Sequence, residues 1–164
     1  NELLPASQVE VKTLACLAET AGFPVTVLRG KNATIEEVLL QSRLHGLLHI
    51  VGHGNSQGLH LADGILSPAM IQSLSGFPGF VFLNTCESGL AAMAEAVLSA
   101  GAKTCIGSRH AIEDIAAANR VSSFYHRIFE TADILSSSVE LIHADSVLPY
   151  RIWGSRWLAK NDRR

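Results

Sequence analysis

The sequence lacks the features of several large protein classes. Its 164 residues contain no apolar run near the roughly 18 residues that a helix needs to cross a bilayer, and the N-terminus does not resemble a secretory signal. The 13 basic and 15 acidic residues give a formal net charge of −2, so no positive excess favours a nucleic-acid backbone or an anionic membrane. We therefore expect partners of other kinds, with no direct contact to nucleic acid or membrane.

Cysteine is scarce as well. The three cysteines, Cys16, Cys86 and Cys105, form an odd and widely spaced set without a CxxC pair. This spacing argues against a disulfide framework and against a cysteine zinc site. A reducing cytoplasm is the compartment that fits this cysteine content best.

Length and apolar content fit one domain. Apolar residues make up 48% of the chain, which is enough for a single substantial core. The chain begins with Asn, and a helix pattern follows almost at once. We therefore interpret residues 1–164 as one catalytic domain and as a segment of a longer polypeptide that carries regulatory domains elsewhere.

Helix and strand patterns alternate along the chain. Two capping boxes, Ser7 with Glu10 and Thr34 with Glu37, predict helices, and the alternating residues 23–28 between them predict a short strand. Nearly continuous apolar runs predict strands covered on both faces at 47–51, 80–84 and 104–107. Further patterns predict a hairpin strand at 59–61 and helices at 67–74, 90–100, 114–130 and 137–147. The alternation indicates an α/β fold with a parallel sheet and helices on both of its faces.

Two residues suited to covalent chemistry follow the first two buried strands. His53 and Cys86 both lie at strand carboxyl ends, which is where open parallel sheets form their sites. A thiol is mostly protonated at neutral pH, so a nearby imidazole or helix N-terminus is needed to make it a competent nucleophile. The backbone N–H groups of Gly54 and Cys86 are candidates for stabilising the oxyanion of a tetrahedral intermediate.

These two segments resemble a known family. Residues 48–54, Leu-His-Ile-Val-Gly-His-Gly, and residues 80–89, Phe-Val-Phe-Leu-Asn-Thr-Cys-Glu-Ser-Gly, are similar to the two signature segments of CHAT domains, which are relatives of caspases and separases. Shorter matches in the family's usual order extend the resemblance over nearly the whole chain. The caspase signature QAC[RQG]G is absent, and the gap between His53 and Cys86 is shorter than in caspases, so the resemblance favours CHAT over a true caspase.

The resemblance carries expectations about fold and site. It implies a caspase-like three-layer sandwich, mostly parallel, with helices on both faces of the sheet. It also implies that His53 is the dyad histidine, that Cys86 is the nucleophile and that Gly54 contributes to the oxyanion site. No cofactor is required for this chemistry.

Four residues are expected to bind the substrate: Asn84, Glu87, His110 and Asp114. In the wider clan, the residue two before the cysteine and one after the next strand line the pocket for the side chain preceding the cut bond, and these correspond to Asn84 and Asp114. A carboxylate at Asp114 would favour an Arg or Lys substrate side chain through a charge-assisted pair. The family usually has Leu-Trp where this chain has Arg109 and His110, and a solvated loop is an equal interpretation of that segment.

Other patterns have less specific interpretations. The spacing of His45, His49 and His53 by four would suit a metal on a helix, but the strand pattern favours a packed His49 and a surface His45. The glycines from Gly52 to Gly58 loosely resemble a phosphate-binding loop, yet a strand rather than a helix follows them.

Cys16 and Cys105 are expected to be core residues, and Trp153 and Trp157 are expected to close the core.

The sequence therefore predicts a cysteine endopeptidase. The CHAT resemblance implies a bacterial enzyme, fused to or assembled with sensor domains, that cuts a specific protein partner on a signal in antiviral defence or cell death. Two alternatives stay open. One is a pseudopeptidase, an interaction module that keeps the fold without turnover, and the other is a nucleotide-binding flavodoxin-like domain, which a ligand would stabilise against heat.

Overall fold

The fold is known from a computed structural model that describes residues 5–108, 114–143 and 150–154. The helices of this part of the chain are α1 (Pro5–Thr20), α2 (Ile35–Ser42), α3 (Pro68–Gln72), α4 (Ala91–Ser99), α5 (Asp114–Thr131) and α6 (Ile134–His143). Its strands are β1 (Leu47–Gly52), β2 (Gly54–Asn55), β3 (Gly58–His60), β4 (Ile65–Leu66), β5 (Phe80–Thr85), β6 (Thr104–Ser108) and β7 (Tyr150–Gly154). A short 3-10 turn occupies Gly30–Asn32.

The main sheet has the strand order β1-β5-β6-β7. β1, β5 and β6 are parallel, and β7 runs antiparallel beside β6. The ladder between β1 and β5 is unbroken from Leu47 opposite Phe80 to Gly52 opposite Thr85. The short strands β2, β3 and β4 form a separate antiparallel meander, which the chain makes between β1 and α3.

Helices cover both faces of the main sheet, as predicted. Because successive side chains of a strand point to opposite faces, Val81 and Leu83 of β5 belong to one core cluster and Phe80 and Phe82 to another. The first cluster includes side chains from α2, α3 and α4, and the second includes side chains from α1, α5 and α6. The result is a three-layer sandwich with a mostly parallel sheet, consistent with the caspase-like architecture.

The cap predicted at Thr34 is confirmed, whereas α1 already includes Pro5, so Ser7 lies inside the helix and does not cap it as predicted. The hydroxyl of Thr34 accepts the Glu37 N–H at 3.2 Å, and that of Ser67 accepts the Met70 N–H at 3.4 Å. Each bond satisfies one of the backbone donors that the first turn of a helix leaves unpaired. α2 and α3 therefore begin where the sequence predicted.

Two predictions about strands were wrong, and three of the described strands, β2, β4 and β7, were not predicted. Residues 23–28 form no strand, and Phe23, Val25 and Val27 lie exposed, since no described strand pairs with this segment and its proline lacks an N–H. β1 is half-buried along its length rather than covered on both faces, because it is the edge strand of the described sheet. The sequence prediction contained no strand at β7, and α6 begins at Ile134 instead of Ser137.

No helix in the described part of the chain is long and apolar enough to cross a membrane.

Candidate active site

The strand register brings His53 and Cys86 to the same edge of the sheet. Gly52 and Thr85, the last residues of β1 and β5, are register partners, so His53 and Cys86 each follow one member of that pair. Paired strands lie about 4.8 Å apart. The two residues therefore begin neighbouring turns at the carboxyl edge of the sheet, with His53 exposed and Cys86 half-buried.

The turn after β1 is fastened to the small meander. The carbonyl oxygen of His53 accepts the N–H of His60, a residue of β3, at 3.0 Å. Gly54 then begins β2 and pairs with Leu59. The imidazole is thus carried on a backbone held between an edge strand and a two-residue strand.

Gly54 brings this turn into direct contact with the turn that carries Cys86. A methyl group at Gly54 would lie 2.9 Å from the carbonyl oxygen of Cys86 and 2.9 Å from the hydroxyl oxygen of Thr85. Carbon and oxygen atoms do not approach so closely without a shift of the backbone. Only glycine fits at this position, and its fit shows that the two turns touch.

The turn that carries Cys86 is sharp and internally bonded. Glu87 has a φ of 57°, in the left-handed region that residues other than glycine seldom adopt. The hydroxyl of Ser88 lies 2.7 Å from the carbonyl oxygens of both Leu83 and Thr85, and it accepts the N–H of Ser108 at 3.3 Å. Ser88 therefore fastens the turn to β5 on one side and to β6 on the other.

Close backbone packing holds the far end of the same turn. The N–H of Gly89 donates to the carbonyl of Ser108, and a methyl group on Gly89 would lie 2.5 Å from the carbonyl oxygen of Gly107. The indole N–H of Trp153, on β7, donates to the carbonyl of Gly89 at 3.3 Å. α4 begins at Ala91, after this turn and not directly at Cys86.

A buried polar network joins α1 to the two strands that precede the site. The carboxylate of Glu10, on α1, accepts hydrogen bonds from Asn84 Nδ2 at 2.9 Å and lies 2.8 Å from His49 Nε2. Tyr125 Oη lies 3.1 Å from His49 Nδ1, and Tyr150 donates to Asn84 Oδ1 at 2.6 Å. Burial, with the Glu10 carboxylate as a second cause, raises the pKa of both tyrosines, so their hydroxyls stay protonated and able to donate.

This network was not predicted from the sequence. Glu10 was predicted to belong to a capping box, whereas its side chain is 1% exposed and faces the interior. One signal was present, because His49 interrupts an apolar strand and an ionisable residue there requires a buried partner. The packing predicted for His49 is confirmed, and its ring also lies beside Phe82 and Tyr125.

The predicted substrate-binding residues have different surroundings. Asn84 is 6% exposed, and its amide is occupied by Glu10 and Tyr150. Glu87 is half-buried in the Cys86 turn, and Asp114 is the first residue of α5. His110 lies outside the described residues. The contacts of all four with substrate stay predictions.

The other cysteines differ sharply in exposure. Cys105 is buried in β6, as predicted, and burial raises the pKa of its thiol to about 12. Cys16 is exposed on α1, so its predicted core position was wrong; the apolar face of α1 packs through Leu14 and Leu17 instead. All three cysteines are free thiols.

The geometry of the described residues gives little support to a metal site or a phosphate-binding loop. The described residues include no group of three or more His, Cys, Asp or Glu side chains that could hold a metal ion. His45 is half-buried rather than on the surface, with its ring 3.1 Å from the Thr26 hydroxyl. The glycine loop from Gly52 to Gly58 leads into β3, a strand and not the helix that a phosphate loop requires. Trp153 packs against the core, while Trp157 lies outside the described residues.

Comparison with known proteins adds one match. The family model of the CHAT domain matches residues 2–139, which is most of the chain. No curated protein matches it.

Proposed function

Since this chain belongs to the CHAT-domain family, which is related to caspase-like cysteine peptidases, we propose that it is a cysteine endopeptidase in which Cys86 is the nucleophile and His53 transfers protons. One observation carries this proposal above the others. The turns that follow β1 and β5 begin at register partners and touch through Gly54. This backbone arrangement supports a dyad in which the imidazole and the thiol meet at one edge of the sheet.

The proposed reaction proceeds through a thioester. The Cys86 thiolate attacks the peptide carbonyl carbon, and the backbone N–H groups of Gly54 and Cys86 stabilise the resulting oxyanion. The imidazolium of His53 protonates the leaving amine as the C–N bond breaks. Water, deprotonated by His53, then attacks the thioester carbonyl, the C–S bond breaks, and the carboxylate product and its proton leave for solvent, which restores the Cys86 thiolate and the His53 imidazolium.

The rigidity of the Cys86 turn supports a nucleophilic role. A left-handed Glu87 persists because Ser88 and Gly89 fix the turn on both sides. Backbone strain of this kind costs of the order of 1 to 3 kcal/mol and concentrates at functional sites. A turn that holds the sulfur in one place reduces the entropy lost on reaching the transition state.

The natural substrate is proposed to be a specific protein partner, cut when associated sensor domains receive a signal in a bacterial defence or cell-death system. The cytoplasm is the proposed compartment.

A preference for Arg or Lys before the cut bond would follow if Asp114 lines the pocket. Peptides matched except at that position test the preference, and equal turnover of Arg and Leu peptides would reject it.

The test of the proposed function compares new protein N-termini in cells that express the native full-length protein or a variant. Cys86→Ala should remove every cleavage that depends on the protein. Cys16→Ala is the matched control, because its thiol is exposed on α1, and it should cleave as the native protein does. If Cys86→Ala preserves both the cleavages and the biological effect, the chain is an interaction module rather than a peptidase.

A further inference from the structure

Glu10 connects the two strands that lead to the proposed dyad. Its Oε1 atom lies 2.8 Å from His49 Nε2 on β1 and 2.9 Å from Asn84 Nδ2 on β5, and its Oε2 atom lies 2.9 Å from the same Asn84 nitrogen. His49 precedes His53 by four residues, and Asn84 precedes Cys86 by two. One carboxylate thus joins side chains from both strands, a few residues before the turns that carry His53 and Cys86.

The hydrogen bonds define the roles of the carboxylate and the amide. A carboxylate accepts, so the proton between His49 and Glu10 lies on His49 Nε2, while Tyr125 Oη lies 3.1 Å from Nδ1. Asn84 donates through Nδ2 to Glu10 and accepts through Oδ1 from Tyr150. A buried carboxylate is tolerated when hydrogen bonds satisfy its lone pairs in this way. The best-attested role of such buried polar groups is to fix the register of the elements that they join.

A contact that fixes the position of the strand end matters more for β1 than for β5. β1 is half-buried at the edge of the described sheet, whereas every residue of β5 is buried. The backbone ladder to β5 lies on one side of β1, so the carboxyl end of β1 can splay more easily than that of a central strand. A small change in its angle would move the imidazole relative to the sulfur.

Resting on the proposed function, we propose that Glu10 is a positioning residue: it fixes the carboxyl end of β1 against β5 and so sets the spacing between His53 and Cys86. Glu10 is 1% exposed and contacts side chains of the network rather than the reacting atoms. Its effect on chemistry therefore passes through strand geometry. A purely stabilising residue would change the free energy of unfolding without changing how Cys86 reacts in the folded protein.

The three free cysteines provide the assay. Iodoacetamide labels thiolates, and mass spectrometry of peptides reports each site separately. Cys16 is exposed and serves as the reference thiol, Cys86 reports the site, and the buried Cys105 reports loss of the fold. A folded protein should leave Cys105 unlabelled, because burial raises its pKa to about 12.

Glu10→Ala is the main variant, and Tyr125→Phe is its matched control. Tyr125→Phe removes the outer hydroxyl of the network and leaves the contacts of Glu10 with His49 and Asn84 in place. At neutral pH, we expect Glu10→Ala to slow Cys86 labelling about tenfold, because a small displacement of catalytic groups has a large effect on reactivity. Cys16 labelling should not change, Cys105 should stay protected, and Tyr125→Phe should alter Cys86 labelling by less than about twofold.

If Glu10→Ala exposes Cys105, Glu10→Asp replaces it, because a carboxylate one methylene shorter keeps the charge but cannot reach both strands. A folded Glu10→Asp protein with slow Cys86 labelling supports the proposal. Labelling within about twofold of native in either folded variant overturns it. Labelling of Cys105 in both variants also overturns it, since Glu10 would then stabilise the fold as a whole.

The assay separates this proposal from the proposed function. If His53→Ala slows Cys86 labelling and the Glu10 variants do not, the dyad stands and the positioning role of Glu10 falls. If native Cys86 reacts no faster than Cys16 and His53→Ala changes nothing, both proposals fall.

Discussion

The two sides of the candidate site are held in different ways. Cys86 follows β5, a buried strand with neighbours on both sides, and its turn is fastened to β6 by Ser88 and Gly89. His53 follows β1, an edge strand whose residues are all half-buried. The packed interior therefore fixes the turn that carries the sulfur, whereas the turn that carries the imidazole depends on contacts of an edge strand and of the small meander.

This difference predicts different consequences of mutation. Changes in the Cys86 turn should appear first as lost stability, because the turn is part of the packed interior. Changes on the His53 side should appear first as altered reactivity of Cys86, because an edge strand can move without unfolding the domain. Three substitutions, ordered from the largest expected effect to the smallest, test the contrast.

Gly89→Ala should disrupt the packing of the turn that carries Cys86. Its methyl group would lie 2.5 Å from the carbonyl oxygen of Gly107, where no flexible side chain can yield. We expect the free energy of unfolding to fall by about 3 kcal/mol, the upper range for overpacking, in urea titrations. Gly46→Ala, just before β1, is the control, because nothing lies within 4 Å of its added methyl group. Equal stability of the two variants would contradict the packing described for this turn.

Gly54→Ala tests the point where the two sides meet. The new methyl group would press on the carbonyl oxygen of Cys86 at 2.9 Å, so either the His53 turn or the Cys86 turn must shift. We expect a loss of about 1 to 2 kcal/mol in the free energy of unfolding, smaller than for Gly89→Ala because β2 can move outward. Labelling of Cys86 by iodoacetamide should also slow in the folded variant. Native labelling would mean that the contact has no bearing on reactivity.

Glu87→Gly should have the smallest effect. Glycine adopts a φ near 57° without strain, which offsets the entropy that a glycine adds to the unfolded chain, so stability should rise by no more than about 1 kcal/mol. Ala132→Gly is the matched control, since Ala132 has a φ of 56° at the end of α5, far along the chain from the site. If thermal unfolding shows that Glu87→Gly lowers stability while Ala132→Gly raises it, the Glu87 side chain itself holds the turn.

The sequence predicted the features that depend on neighbours in the chain. The caps at Thr34 and Ser67 and the buried strand at 80–84 follow from local patterns, and so does the position of Cys86 after that strand. The family resemblance added the sandwich architecture.

The features that were missed depend on distant residues. Glu10 is buried because His49 and Asn84, 39 and 74 residues away in sequence, satisfy its carboxylate. Residues 23–28 have the pattern of a strand but no described partner strand, so the pattern alone gave the wrong result. Cys16 faces outward because the rotation of α1 is set by its packing on α5, which a helical pattern does not fix.

The proposed chemistry depends on activation of the Cys86 thiol by the His53 imidazole. The most direct test is the rate at which iodoacetamide labels Cys86 at neutral pH, relative to Cys16 in the same molecule, in the native protein and in His53→Ala. We expect native Cys86 to react faster than Cys16, and we expect His53→Ala to remove this advantage while Cys105 stays protected. Equal rates for Cys86 and Cys16 in the native protein, unchanged by His53→Ala, would contradict this proposal.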